Sequence, residues 1–315
     1  MRTPTGDQYV LRRSTPHGEA EAIITEVGAS IRTLRIGGVD LTQPFPENST
    51  APFGCGKVLV PWPNRVPSGE WKWRDLPQQL NLTEPTRENA IHGLLFNTAY
   101  TLLERTDDSV TLGATVFPQL GYPFCLDTTV RYQLVDDGMT VSHTICNRSD
   151  TSAPAAIGTH PFFQIGDVPT ADLILTVHGA TRFPVDERLN VGAEVPVDGD
   201  YDLRGGRKLG ELSLDDAFGE VTPVDQVTAT LTAPDGRRVA LWQDENFPYV
   251  QVFTTRIWPL IGEMTPAVTR GGDLTLAVAI EPMTAPANAF NTGQSLRWLE
   301  PEETWTASWG IRYTA

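Results

Sequence analysis

The chain has 315 residues, 40% of them hydrophobic, which is enough to bury a substantial core. Its formal net charge is -15, and no cluster of Lys and Arg stands out to attract a polyanion. The composition therefore argues against nucleic acid or an anionic membrane as a partner. Its 27 glycines and 25 prolines are spread along the chain, which predicts many turns and few long helices.

The cysteines and the first residues indicate the compartment. Cys55, Cys125 and Cys146 are too few and too widely spaced for a disulfide framework. The first seven residues lack the apolar stretch of a secretory signal, and no apolar run is long enough to cross a bilayer. We therefore expect a cytoplasmic protein that is neither exported nor anchored.

Apolar residues recur with a period of two, which predicts β-strands with one buried face. The clearest alternating segments are, in chain order, 110–116, 130–134, 139–145, 227–232, 239–241 and 305–313. Asp137-Gly138 and Asp235-Gly236 interrupt this pattern and predict two β-hairpins. Only short stretches such as 287–291 suit a helix. The sequence predicts an all-β chain of antiparallel strands, a large β-sandwich, as a single domain over residues 1–315.

Glu281 follows an apolar, strand-like run over 274–280 and precedes Pro282 and Pro286. This position predicts a carboxylate at the lip of a sheet, held in a fixed direction. Two interpretations stay open from this segment alone. Glu281 is either a solvated acid at a strand end or a catalytic group.

Arg65 lies in a proline-rich corner beside Trp62, where the backbone is stiff and the guanidinium can be aimed. A planar donor fork next to an indole suits a polyhydroxylated ligand, because Arg donates to hydroxyls while the ring covers C–H edges. A surface ion pair with a nearby acid explains the residue equally well.

His92 precedes a glycine and His160 precedes a proline, so both histidines lie in locally rigid settings. His17, His143 and His178 lack such settings, and we expect them to be structural or exposed. Neither His92 nor His160 has a second ligand at metal-binding spacing. No serine-hydrolase elbow or phosphate-binding glycine loop occurs either. The sequence thus predicts neither a metal nor a cofactor.

Five short motifs in a fixed order together resemble the aldose 1-epimerase (galactose mutarotase) family. They are Asn64-Arg65-Val66 with Gly69, Ile91-His92-Gly93, Thr159-His160-Pro161-Phe162-Phe163, Leu214-Asp215-Asp216-Ala217-Phe218 and Ile280-Glu281-Pro282-Met283-Thr284. The resemblance implies a galactose mutarotase-like β-sandwich with a sugar cleft on a concave face, and a monosaccharide as the partner.

The resemblance also implies roles for single residues. Glu281 would be the general base at the anomeric hydroxyl and His160 the general acid at the ring oxygen. His92 would hold and polarise the sugar, while Arg65 and Asp215 would bind ring hydroxyls. Asn64, in the first motif, is a further candidate for substrate binding.

Two departures from the family pattern bear on the substrate. Asp216 stands where many members have histidine, and Pro282-Met283 replaces the threonine-glutamine that follows the glutamate in galactose-specific enzymes. They leave the catalytic pair intact and leave galactose specificity open.

Opening a cyclic hemiacetal needs one group to take the proton of the anomeric hydroxyl and another to protonate the ring oxygen, and a carboxylate and an imidazole suit these roles. The sequence leaves two alternatives to a neutral-sugar mutarotase. One is a catalytically silent carbohydrate-binding protein on the same fold. The other is a mutarotase for a phosphorylated or sulfonated sugar, which needs a basic subsite from candidates such as Arg65, Arg182, Arg256 and Arg270. The oligomeric state is open.

Overall fold

The structure, a computed structural model, describes residues 2–259 and 275–315. The first strands are β1 (Gln8–Thr15), β2 (Gly18–Thr25), β3 (Ile31–Ile36), β4 (Val39–Asp40), β5 (Val58–Leu59), β6 (Arg65–Pro67), β7 (Glu70–Trp73), β8 (Leu76–Gln79), β9 (Asn89–Ile91), β10 (Thr101–Arg105), β11 (Ser109–Val116), β12 (Leu126–Val135) and β13 (Gly138–Asn147). The later ones are β14 (Ala153–Ala155), β15 (Gly158–Thr159), β16 (Phe162–Phe163), β17 (Ile174–Val177), β18 (Thr181–Phe183), β19 (Val195–Pro196), β20 (Arg207–Lys208), β21 (Asp215–Gly219), β22 (Val227–Thr232), β23 (Arg238–Gln243), β24 (Tyr249–Trp258), β25 (Thr275–Met283), β26 (Arg297–Leu299) and β27 (Thr304–Thr314).

Helical structure in the described residues is confined to short elements. The α-helix α1 spans Ala289–Thr292, close to the predicted helical stretch. The 3-10 turns are Pro52–Gly54, Thr170–Asp172, Gly199–Tyr201 and Leu209–Glu211. No helix in the described part of the chain is long and apolar enough to span a membrane.

Two large antiparallel sheets dominate the architecture. One has nine strands in the order β10-β11-β12-β13-β27-β23-β22-β17-β20. The other has eight strands, with the path β19-β18-β21-β24-β25-β15-β5 and with β16 paired to β25. Smaller sheets are β1-β2-β3-β4, β14-β26, β6-β9 and β7-β8. The predicted all-β antiparallel sandwich is confirmed.

The core contains the apolar faces that the alternating pattern predicts. Three residues on β27 have no exposed surface, namely Ala307, Trp309 and Ile311. They join apolar side chains of the eight-stranded sheet, such as Val252 and Ile280, in one continuous cluster. Both predicted hairpins are present, although the first loop is Asp136-Asp137, because Gly138 already pairs with Val135.

The register of the three central strands of the eight-stranded sheet decides which side chains share a face. Gln251 on β24 lies between Ala217 on β21 and Glu281 on β25. Because directly paired residues project to the same side of a sheet and neighbours alternate, Asp215, Gln251 and Glu281 share one face. The opposite face carries Val252 and Ile280 into the core.

The predicted position of Glu281 needs correction. The strand does not end before Pro282 but continues through Met283, and Glu281 pairs inside it with Gln251. Only 2% of the residue is exposed, so the interpretation as a solvated acid is wrong. The strand continues past Pro282 because β24 pairs with it along almost its whole length. Leu274, at the start of the predicted run, lies outside the described residues.

Candidate functional site

His160 lies directly across from Glu281, at a gap between two short strands. Gly158 on β15 pairs with Met283, and Phe162 on β16 pairs with Ala279, so the common register sets residue 160 opposite residue 281. His160 Nε2 lies 3.4 Å from Glu281 Oε1. This is longer than an ordinary hydrogen bond but close enough for strong coupling of the two groups.

Burial controls the ionisation of this pair. Glu281 is 2% exposed and His160 is 5% exposed. Burial raises the pKa of Glu281 well above its usual value, and the charge of Asp215 raises it further. Burial also lowers the pKa of His160 to about 4. Between these two pKa values the pair therefore holds one proton.

Each partner keeps an unused polar atom. Glu281 Oε2 and His160 Nδ1 are both buried and have no hydrogen-bond partner among the described residues. Buried polar atoms are normally hydrogen-bonded, and exceptions mark places where another group is expected. A ligand oxygen can satisfy either atom.

Aromatic rings enclose His160 on one side. Its imidazole stacks on Phe162 with ring centroids 5.3 Å apart, and Phe253 packs edge-on at 6.3 Å. Phe53 joins Phe253 at 5.8 Å and has a positive φ of 50°. These rings exclude water from the pair, which is the physical cause of its shifted pKa values.

His92 faces His160 edge-on, with ring centroids 5.3 Å apart. The backbone N–H of Asn64 donates to His92 Nδ1 at 3.3 Å. Because an accepting Nδ1 is unprotonated, the neutral ring carries its proton on Nε2. Burial and the neighbouring positive groups lower the pKa of His92 well below its ordinary value, so the ring is a neutral donor.

Asn64 acts on its neighbours through both its main chain and its side chain. Its carbonyl accepts the N–H of His92 at 3.0 Å, and its side-chain Oδ1 accepts the N–H of Arg65 at 2.8 Å. Asn64 adopts a left-handed backbone with φ of 55°, a conformation in which asparagine is favoured. A direct contact of Asn64 with substrate stays a prediction.

Arg65 begins β6 and is 8% exposed, so it is not a surface arginine. Its Nε and Nη2 donate to the two carboxylate oxygens of Glu84 at 2.8 and 3.0 Å. Its Nη1 lies 3.5 Å from Asp215 Oδ2. Glu84 thus fixes the plane of the guanidinium and leaves Nη1 directed at Asp215.

Asp215 receives a second hydrogen bond from Gln251 Nε2 at 2.7 Å. Burial raises the pKa of Asp215 despite the opposing charge of Arg65. The structure therefore brings together five of the six predicted residues, Glu281, His160, His92, Arg65 and Asp215, in one polar cluster, which we call the cleft. Asn64 is hydrogen-bonded to two of them, His92 and Arg65.

Asp216 projects to the other face of the sheet. It pairs across the strands with Val252, whose side chain enters the core, and its Oδ1 lies 3.4 Å from Arg182 Nη1. Asp216, the departure from the family pattern, thus forms a buried ion pair with Arg182 on the face of the sheet opposite the cleft. It does not alter the side chains that face the cleft.

Among the candidates for a basic subsite, Arg65 lies in the cleft, whereas the other two described arginines are held elsewhere. Arg182 pairs with Asp216 on the far face and lies 3.6 Å from the ring of Tyr201. Arg256 donates to the carbonyls of Gly210 and Leu212. Arg270 lies outside the described residues.

Gln251 and Glu84 belong to the site but were missed from the sequence. Gln251 is a polar residue on an apolar strand, 3% exposed, and this alternation was a usable signal. Glu84 lies in an irregular polar segment with no recognisable pattern. His143, expected to be structural, is buried and accepts a hydrogen bond from Trp309 Nε1 at 3.1 Å.

The geometry suits proton exchange on two oxygens bonded to one carbon. Glu281 and His160 supply the proton-transfer groups, while His92 and Arg65 supply donors around them. Within residues 2–259 and 275–315, no group of three or more His, Cys, Asp or Glu side chains is arranged to hold a metal ion.

Comparison with known families and proteins identifies the family of the chain. The family model described as aldose 1-epimerase matches residues 12–312. YihR, an uncharacterised protein of Escherichia coli K12, is 32% identical over 286 residues, which cover 90% of this chain and 87% of that protein.

Solved structures share the fold at lower identity. The GalM/aldose epimerase homologue of C. elegans aligns with a TM-score of 0.81 and 17% identity, over 98% of this chain and 99% of that chain. Galactose 1-epimerase from Lactobacillus acidophilus NCFM aligns with a TM-score of 0.77 and 20% identity, over 100% of this chain and 96% of that chain.

Proposed function

The chain belongs to the aldose 1-epimerase family, and from this membership we propose that it is a mutarotase that interconverts the α and β anomers of a neutral aldose. The observation that carries the proposal is the buried pair of Glu281 and His160, 3.4 Å apart, with one unused polar atom on each side chain. A protein that only binds sugar needs hydroxyl contacts but no coupled proton-transfer pair.

The proposed reaction begins with the single proton on the pair. In the tautomer with a carboxylate and an imidazolium, Glu281 takes the proton of the anomeric hydroxyl while His160 protonates the ring oxygen. The C1–O5 bond breaks as the C1 carbonyl forms. After rotation about C1–C2, the ring oxygen attacks the other carbonyl face, and both protons return.

The surrounding residues hold the sugar during this exchange. Neutral His92 donates from Nε2 to an oxygen near the reacting carbon, which stabilises the negative charge that develops there. Arg65 and Asp215 offer a donor and an acceptor to ring hydroxyls. Because Glu84 and Gln251 already fix their orientation, little further ordering is needed when the sugar binds.

A neutral sugar fits better than an anionic one. Each described arginine among the subsite candidates is paired with a carboxylate or with backbone carbonyls, and the acid groups of Glu281 and Asp215 lie in the cleft. A phosphate or sulfonate there would meet acidic groups without an unpaired cation from this set.

Exchange NMR of anomers tests the proposal. A panel of neutral, phosphorylated and sulfonated aldoses is measured at low and high salt, with the spontaneous rate subtracted. We expect catalysed exchange of at least one neutral aldose with weak salt dependence. Binding of sugars without any catalysed exchange would support the silent binding protein. Strong salt dependence with a preferred anionic sugar would overturn the choice of a neutral substrate.

A further inference from the structure

Lys57 is a buried lysine next to the cleft that the proposed reaction does not use directly. It is 6% exposed. Its Nζ donates to the side-chain Oδ1 of Asn97 at 2.6 Å and lies 4.1 Å from the centroid of the Phe96 ring. Its described partners are an amide oxygen and a ring, not a carboxylate. Burying a lysine without a carboxylate is costly, so its position calls for an explanation.

The ring of Phe96 connects Lys57 with His92. Phe96 stacks on the His92 imidazole with ring centroids 5.4 Å apart and an interplanar angle of 17°. A Cβ added at Gly54 would lie 2.5 Å from Phe96 Cζ, so the edge of the ring is in close contact with the backbone. The phenyl ring is therefore confined by Gly54, by the ammonium and by His92.

The rest of Lys57 is fixed as well. Its methylene stem runs past Gly28, where an added Cβ would lie 3.0 Å from Lys57 Cγ. Its backbone carbonyl accepts the N–H of His160 at 3.0 Å. Lys57 thus binds the backbone of His160 through its own main chain and contacts the Phe96 ring that stacks on His92.

We propose that Lys57 is a positioning residue whose ammonium, held by Asn97, clamps the Phe96 ring against His92 and so orients the donor Nε2 of His92 toward the sugar. This inference rests on the proposed function for its catalytic consequence. A cation over an aromatic face is attracted by the ring, and the attraction grows when water is excluded. The same positive charge favours the neutral form of both histidines.

The test uses Lys57→Met, which keeps the length of the side chain and removes the charge, and Lys57→Arg, which keeps a cation over the ring. Lys72→Met, at an exposed position of strand β7, is the matched control. Protein labelled with ¹⁵N-histidine reports the His92 side chain by NMR, with its signals assigned from their loss in His92→Asn.

We expect Lys57→Met to shift the His92 signals, to raise the His92 pKa and to lower kcat about tenfold with a smaller change in KM. Lys57→Arg restores most of both properties, and Lys72→Met changes neither. Phe96→Leu reproduces the loss, and the double variant Lys57→Met/Phe96→Leu is no worse than either single variant, because both act through one chain of contacts.

Asn97→Ala keeps the proposal testable if Lys57→Met does not fold, since Asn97 is exposed. It is expected to move the His92 signals in the same direction by a smaller amount. Unchanged His92 spectra in Lys57→Met, or in both Asn97→Ala and Phe96→Leu, would overturn the clamp. The NMR measurement needs no turnover, so an inactive wild-type protein would refute the proposed function without deciding this inference.

Discussion

His160 Nε2 and Glu281 Oε1 lie 3.4 Å apart where β25 faces the gap between β15 and β16. The backbone of His160 is hydrogen-bonded to Gly56 and Lys57, on the side away from β25. Because residues 160 and 281 lie opposite each other, their side chains project from the same face of the sheet. Sheet register thus brings the two side chains close together, and the aromatic rings beside His160 exclude water from them.

We predict that Glu281 and His160 act as one unit. Glu281→Gln keeps the size of the side chain and removes the base, so kcat should fall by about 10²-fold or more with little change in sugar affinity. His160→Asn should act likewise, and the double variant should cost far less than the product of both effects. Anomer exchange by NMR measures each rate.

The controls are Glu245→Gln and His17→Asn, which replace exposed residues outside the motifs that contain Glu281 and His160. They should retain wild-type rates. Near-normal exchange in Glu281→Gln would show that Glu281 is not the base, and Asp215 would be the next candidate.

The pH profile of kcat/KM should be bell-shaped with an unusually acidic lower limb. The active pair holds one proton. A second proton binds as the pH falls through the pKa of His160, which is about 4. At the other end, the last proton leaves at the raised pKa of Glu281. We therefore expect activity to persist well below pH 6.5, the ordinary value for histidine.

Rates at each pH, with circular dichroism to verify folding, check this profile. A lower limb near pH 6.5 would contradict the single shared proton. Coupled groups yield pKa values that belong to the pair, so the limbs are assigned to the pair and not to either side chain.

His143 should make stability depend on pH, independently of the cleft. Burial lowers its pKa from 6.5 to about 3, so below pH 6.5 the unfolded chain binds a proton that the folded protein does not. The contribution of neutral His143 to the free energy of unfolding is complete above pH 6.5 and is lost as the pH falls toward 3. Relative to His143→Gln, the wild type should lose about 2 kcal/mol between pH 7 and pH 5.

Urea unfolding of both proteins at these two pH values measures that difference. The variant is expected to be less stable at pH 7, because it disturbs the contact with Trp309. A difference that does not change with pH would mean that His143 can be protonated in the folded protein.

Activity should not require a metal ion. Acid–base opening of a hemiacetal needs only the two proton-transfer groups. Prolonged chelation followed by the exchange assay should leave the rate unchanged. A loss of activity that returns only with an added divalent ion would refute this mechanism.

Local pattern was sufficient to predict the fold class, and the motifs were sufficient to name residues that the structure brings close together. The period of two predicted the buried face of β27 and both hairpins, because each strand has one face in the core. The motif order identified the family. The burial of Glu281 could not be predicted, since it depends on pairing with the preceding strand β24, which no local pattern around Glu281 reveals.

Contacts between distant segments limited the prediction of the site in the same way. Glu84 orients Arg65, and Phe96 links Lys57 to His92, but no local pattern marks any of these pairs. The roles of the six site residues, the single domain over residues 1–315 and the cytoplasmic location stay predictions.

The adjacent acids Asp215 and Asp216 have a consequence for aligning this protein with its relatives. A shift of one position would still place a carboxylate either in the cleft or beside Arg182, so a single matched acid does not show that the alignment is correct. Their neighbours reveal the error, because the shift would turn Phe218, fully buried on the core face, toward the cleft. The phenylalanine, rather than either aspartate, is therefore the reliable anchor for matching this strand to related sequences.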